Sequence, residues 1–120
     1  MNDNSSQLKK GVLEILILKL LSQEKMYGYQ LMHELDSKSK GVFKMKEGTL
    51  YPVLYRLEDD KFISSLWEEP DSSSSEKRPL PRKYYQISPS GRIELDKLTA
   101  NIHDLIQGIH LILEEKPKNE

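Results

Sequence analysis

Near the C-terminus, Leu95, Leu98, Ile102, Leu105, Ile109 and Ile112 recur in steps of three and four residues, a heptad-like stripe that Ile106 and Leu113 widen. Ser88 followed by Pro89 is a helix start signal, a serine cap with proline at the first helical position. The pair predicts one helix over residues 89–115. At ~1.5 Å per residue, its roughly 26 residues reach about 39 Å. A chain of 120 residues has one core to offer, and this helix is longer than that core needs. The stripe therefore calls for a partner, and Leu95, Leu98, Ile102, Leu105, Ile106, Ile109 and Ile112 are the expected dimerisation residues.

Upstream, the apolar period is first helical and then alternating. Between Val12 and Leu21 only Glu14 and Lys19 are charged. Leucine dominates this run over β-branched residues, so a helix from about Leu8 to Ser22 fits better than a buried strand, and it wants burial on more than one side. Met26 to Leu35 predicts a short second helix, closed by Asp36 to Gly41. The following segment holds Lys38, Lys40, Lys44 and Lys46 with no acid before Glu47. Leu50, Val53, Leu54 and Leu57 then stand at i, i+3, i+4 and i+7, the seam of a third helix running from Gly48 to about Asp60. Pro52 lacks an N–H, which sets the start of that helix near Gly48 or Thr49. Phe62–Trp67 and Lys83–Ile87 are rich in aromatic and β-branched residues and predict a hairpin. Its loop carries Ser72 to Ser75 with Pro70, Pro79 and Pro81, and cannot pack a core.

Eighteen Lys and Arg stand against 19 Asp and Glu, a net charge of −1, so polyanion binding must come from local patches. The absence of cysteine excludes disulfides, thiolate catalysis and Cys-ligated zinc. Met1 to Ser6 lacks the basic and apolar regions of a signal peptide, and no apolar run approaches the ~20 residues of a membrane span. A soluble, cytoplasmic protein is expected.

The third helix leaves Thr49, Tyr51, Pro52, Tyr55 and Arg56 outside its seam, where a solvated face would more usually carry Lys and Glu. These side chains suit the edges and phosphates of nucleic acid: Arg56 phosphate or guanine, Tyr51 a phosphate or a thymine methyl. Either tyrosine could instead pack inward, Tyr55 more readily than Tyr51. Lys44 and Lys46, just before the helix, should meet phosphates unless they merely solvate a loop. Tyr27 and Tyr29 flank the glycine that opens the second helix, and their hydroxyls suit either phosphate contact or packing. Lys77, Arg78, Arg82 and Lys83 balance four acids in the hairpin loop, so its return arm is the phosphate candidate.

The order helix, helix, helix, hairpin is that of a winged helix-turn-helix, mainly α with a β-hairpin, its third helix entering a major groove. Tyr27-Gly28-Tyr29-Gln30-Leu31, Glu47 through Glu58, and Arg82 through Gly91 together resemble the PadR family of bacterial transcriptional regulators. The resemblance covers residues 8–115 and looks like the small subgroup with a single short C-terminal helix. It implies a homodimeric winged-helix repressor, a palindromic double-stranded DNA operator and release by a small-molecule effector. Residues 1–7 are then a disordered N-terminus and 8–88 the DNA-binding domain, with the wing loop at 68–82. Residues 89–115 form the dimerisation helix and 116–120 a tail. The wing is longer than in compact members. Residues 89–120 contain no Phe, Tyr or Trp, which argues against flat ligands sandwiched between subunits. Trp67 is expected to pack on the domain surface.

An apolar cleft lined by Leu8, Val12, Ile15, Ile102, Ile106 and Ile109 could hold an effector, and the same residues could equally fill a dry interface. No cofactor is expected. His103 and His110 lie ~10 Å apart by helix rise, too far to share one ion within a chain, and His33-Glu34 lacks a second histidine. No nucleophile, base and oxyanion donor come together, so an enzyme is not expected. The alternative function is a winged-helix module that binds protein through the same face without touching DNA.

Overall fold

The elements follow in the order α1 (Asn4–Gln23), β1 (Met26–Tyr27), α2 (Gly28–Lys38), α3 (Glu47–Asp59), β2 (Ile63–Glu68), β3 (Arg82–Ile87) and α4 (Pro89–Leu113). In this computed structural model residues 4–69 and 80–118 are described, with side chains from residue 12 onward. The sheet is antiparallel in the order β1-β3-β2, with Met26 opposite Tyr85 and Tyr27 opposite Tyr84, and Ile63 opposite Ile87 on the other side. The fold is the expected winged helix-turn-helix with a long C-terminal helix.

The core forms where the apolar seams meet. Leu13, Ile17, Leu18 and Leu21 of α1 are buried together with Leu31 and Leu35 of α2, Leu50, Val53, Leu54 and Leu57 of α3, and Ile63, Tyr85 and Leu95. Helix α1 packs against α2, α3, β3 and α4. Its burial on several sides is thus met largely within its own chain.

Helices α2 and α3 stop in the same way. At the end of α2, Lys40 N–H donates to Ser37 O (3.3 Å) and Gly41 N–H to Asp36 O (2.8 Å). At the end of α3, Lys61 N–H donates to Glu58 O and Phe62 N–H to Leu57 O, both at 3.0 Å. These are paired Schellman bonds, and in each the turning residue is a lysine at positive φ, 54° at Lys40 and 64° at Lys61. Helix α4 starts as expected, with Ser88 Oγ accepting from Gly91 N–H at 3.0 Å and proline in the first turn.

Several boundaries differ from the sequence reading. Helix α1 begins at Asn4, inside the stretch expected to be disordered. Met26 and Tyr27 are a strand rather than helix, because pairing with Tyr85 and Tyr84 satisfies their backbone before Gly28 opens α2. Helix α3 begins at Glu47, with Lys46 O accepting from both Thr49 and Leu50 N–H at 3.0 Å. Pro52 therefore lies in the second turn, where its missing N–H leaves the Gly48 carbonyl without the usual partner. It does not mark the helix start. Leu95 is 7% exposed and Leu98 packs on the core, so the first two positions of the dimer stripe belong to the chain's own interior. Leu105 (58%), Ile106 (44%), Ile109 (47%) and Ile112 (73%) remain exposed beyond them.

Candidate functional site

Tyrosines from two helices and basic side chains from the third strand meet in an open concavity of about 470 Å³. The end of β1 contributes Tyr27, and the start of α2 contributes Gly28 and Tyr29. One face of α3 contributes Tyr51 and Tyr55, and the hairpin contributes Trp67, Arg82, Lys83 and Tyr85. Among the described residues no carboxylate lines it. In a chain of net charge −1 this is a local basic and aromatic patch.

Each wall has a local cause. Residues 51 and 55 are one helical turn apart and share a face, their ring centroids 6.1 Å apart. Gln30 Oε1 accepts from Tyr27 N–H at 3.0 Å, which fixes the backbone where β1 hands over to α2. Tyr27 also meets Tyr84 edge to face at 5.4 Å, while the Arg82 guanidinium lies 4.7 Å from the Tyr27 ring centroid. Lys83 Nζ sits 5.5 Å from the centroid of Tyr85. Tyr85 is the floor, 2% exposed, and opposite Ser65 in the sheet. Burial, with Tyr51, Tyr55 and Glu58 adding to it, pushes its phenol up to about 12. Burial first, then Glu47 and Tyr55, raises Tyr51 as well. Both hydroxyls therefore stay protonated at neutral pH and remain able to donate to an anion.

Tyr51 and Tyr55 exchange the roles expected of them. Tyr51 is the partly buried one and lies across Gly28, whereas Tyr55 is 53% exposed. A Cβ at Gly28 would stand 2.2 Å from the Tyr51 hydroxyl oxygen and 2.8 Å from its ring carbon Cζ. The obstacle is the tip of a side chain, so Gly28→Ala should turn Tyr51 outward and leave the fold intact. The expected result is a Tyr51 pKa that falls back toward 10.0, because its largest cause is burial. NMR titration of ring-labelled tyrosine would detect this, with the thermal midpoint little changed.

Arg56 does not join the concavity. Its guanidinium bonds Glu14 on α1, with Nε 2.6 Å from Oε1, so it braces α3 against α1. Thr49 is partly buried, and Pro52 is exposed beside Tyr51 on the outer side of α3. In the approach to α3, Phe43 and Met45 are anchored on the core while Lys44 and Lys46 alternate outward and are exposed. Lys77 and Arg78 lie outside the described residues.

Trp67 is 68% exposed rather than packed down, and with Gly28 and Tyr85 it is a part of the site that the sequence reading missed. The signal was there in the alternation. Ile63, Ser65 and Trp67 share one face of β2, and only the first of them lies over the core. Of the expected effector cleft, Val12, Ile15 and Ile102 are partly exposed and Ile106 and Ile109 more so, and the side chain of Leu8 lies outside the described residues. A separate apolar cleft of about 240 Å³ opens between α1 and α2, lined by Leu16, Leu20, Leu35 and Phe43 with Lys19 and Lys38 among its walls. Among the described residues no group of three or more His, Asp or Glu could hold a metal ion, and no helix is long and apolar enough to cross a membrane.

Comparison with known proteins agrees with this geometry. The model of the Transcriptional regulator PadR-like family matches residues 17–97. Uncharacterized protein X of Lysinibacillus sphaericus is 32% identical over 109 residues, 91% of this chain and 94% of its own length. A PadR-like transcription factor from Bacteroides fragilis is 34% identical, with a TM-score of 0.69 over 92% of this chain and 99% of its own. A PadR-like transcriptional regulator from Bacillus cereus is 30% identical, with a TM-score of 0.75 over the same shares.

Proposed function

Since the chain belongs to the PadR-like family, which are transcriptional regulators and not enzymes, we propose that it represses transcription by binding a palindromic operator as a homodimer. The observation that carries this reading is the convergence of Tyr27, Tyr29, Tyr51, Tyr55, Arg82 and Lys83 on one concavity beside α3. Helix α3 enters the major groove along its tyrosine face, and Lys44 and Lys46 meet the phosphates on its approach. Arg82 and Lys83 hold the flanking backbone from the wing. Pairing through the outer half of α4 presents two such helices to half-sites about one DNA turn apart. A small-molecule effector acting at that interface would find Val12, Ile15, Ile102, Ile106 and Ile109 as its lining on this chain.

The salt dependence of binding to a duplex enriched from a random-sequence pool tests the reading. Each phosphate neutralised by Lys or Arg releases counterions, so log K should fall linearly with log salt. The K44A/K46A double variant removes two contacts per subunit and four per dimer. Its slope should be shallower by about 3 to 4, with binding weakened evenly across sequences. Binding that is absent at low salt in a folded dimer, or indifferent to salt, would sink the proposal in favour of a protein-binding module.

A further inference from the structure

We propose that Trp67 is itself a DNA contact, an indole laid against the sugar–phosphate wall of the duplex next to the groove that α3 enters. The inference rests on the DNA-binding reading above and extends it to a residue outside the recognition helix. On β2 the face shared by Ile63, Ser65 and Trp67 descends from core to solvent: Ile63 is 2% exposed and Trp67 is 68% exposed. Their partners on β3 are half-buried Ile87 opposite Ile63, buried Tyr85 opposite Ser65, and half-buried Lys83 opposite Trp67. The same face that closes the core at one end thus opens onto the concavity at the other.

An exposed tryptophan keeps most of its apolar surface in water, which favours a site where a partner covers it. Here the neighbours define that partner's chemistry. Arg82 and Lys83 bring positive charge to the same concavity, and the tyrosines bring hydroxyls. A surface that offers anions beside flat apolar rings, as deoxyribose and phosphate do, satisfies all of them at once. The indole ring covers the sugar while its N–H donates to a phosphate oxygen.

Trp67 is the one tryptophan in the chain, so its emission reports this contact directly. The full-length protein is titrated with a fluorescein-labelled duplex enriched from a random-sequence pool, and labelled-DNA anisotropy and indole emission are followed on matched samples. The expected result is an emission change that tracks occupancy and ends at the same stoichiometry as the anisotropy. W67A should bind about 10-fold more weakly with an unchanged thermal midpoint, and W67F should recover part of the loss. If anisotropy saturates while emission stays constant and W67A binds as tightly as the parent, the contact does not exist although the DNA reading stands. If no duplex is bound at low salt, both readings fall together.

Discussion

Replacing Gly91 with alanine is expected to lower the thermal midpoint by about 10 °C or more. A Cβ there would stand 2.0 Å from the Phe62 carbonyl oxygen, 3.0 Å from the Phe62 carbonyl carbon and 2.8 Å from Ile87 Cγ1. Unlike a side-chain tip, that carbonyl cannot swing away. It accepts from Ser88 N–H at 2.9 Å, while Phe62 N–H closes α3 on the Leu57 carbonyl. The adjoining Lys61 carbonyl accepts from Ser88 Oγ at 2.7 Å and Ser90 Oγ at 2.9 Å. Relieving the overlap means separating the end of α3 from the start of α4. Overpacking of about 1–3 kcal/mol then comes with the loss of hydrogen bonds worth about 1 kcal/mol each. Gly108→Ala is the control, since a Cβ there meets nothing within 4 Å, and alanine in a helix interior gains about 1 kcal/mol. Melting curves at one fixed protein concentration decide the matter. A Gly91→Ala midpoint within a degree or two of the parent would mean that the two helices do not approach as described.

The same joint explains which parts of the fold could be read in advance. Ser88-Pro89 is a local signal, and the seam from Leu50 to Leu57 is a periodic one, so both helices were legible from neighbouring residues alone. The strand at Met26–Tyr27 was not, because two residues carry no period and only pairing with Tyr84 and Tyr85 makes them a strand. Pro52 misled for a related reason. A proline's missing N–H disqualifies it from a hydrogen bond but does not forbid a helix from starting earlier, and Lys46 supplies the first acceptor. In the site, the tyrosines were visible as residue types on an unusual face. Their roles depended on Gly28, whose lack of a Cβ makes room for Tyr51 and leaves Tyr55 the exposed one. Arg56 has the helical position of a groove residue, and no local pattern announces a carboxylate 42 positions away at Glu14. Apart from Pro52, long-range partners decided each of these cases.

Ile109→Asp is expected to turn a dimer into a monomer and weaken DNA binding by about two orders of magnitude. Within its own chain Ile109 is 47% exposed, Leu105, Ile106 and Ile112 beside it are also uncovered, and among the described residues it takes no part in the core. Circular dichroism should therefore change little. In a dimer formed through this stripe, the two copies would bring unpaired carboxylates into an apolar seam, at about 3 kcal/mol or more for the pair together, or about 100-fold or more in the dimer constant. The consequence for DNA follows from geometry. A dimer engages the second half-site as an intramolecular event, and a monomer loses that advantage even though its own concavity is intact. The salt slope should fall to about half, since one subunit neutralises half the phosphates. Ile109→Leu keeps the stripe apolar and should behave as the parent. Analytical ultracentrifugation and anisotropy on the same preparations separate the two effects: a variant that sediments as a dimer, or a monomer that binds DNA as tightly as the parent, would remove α4 from the mechanism. Loss of both together ties the exposed half of α4 to the pairing of the recognition helices.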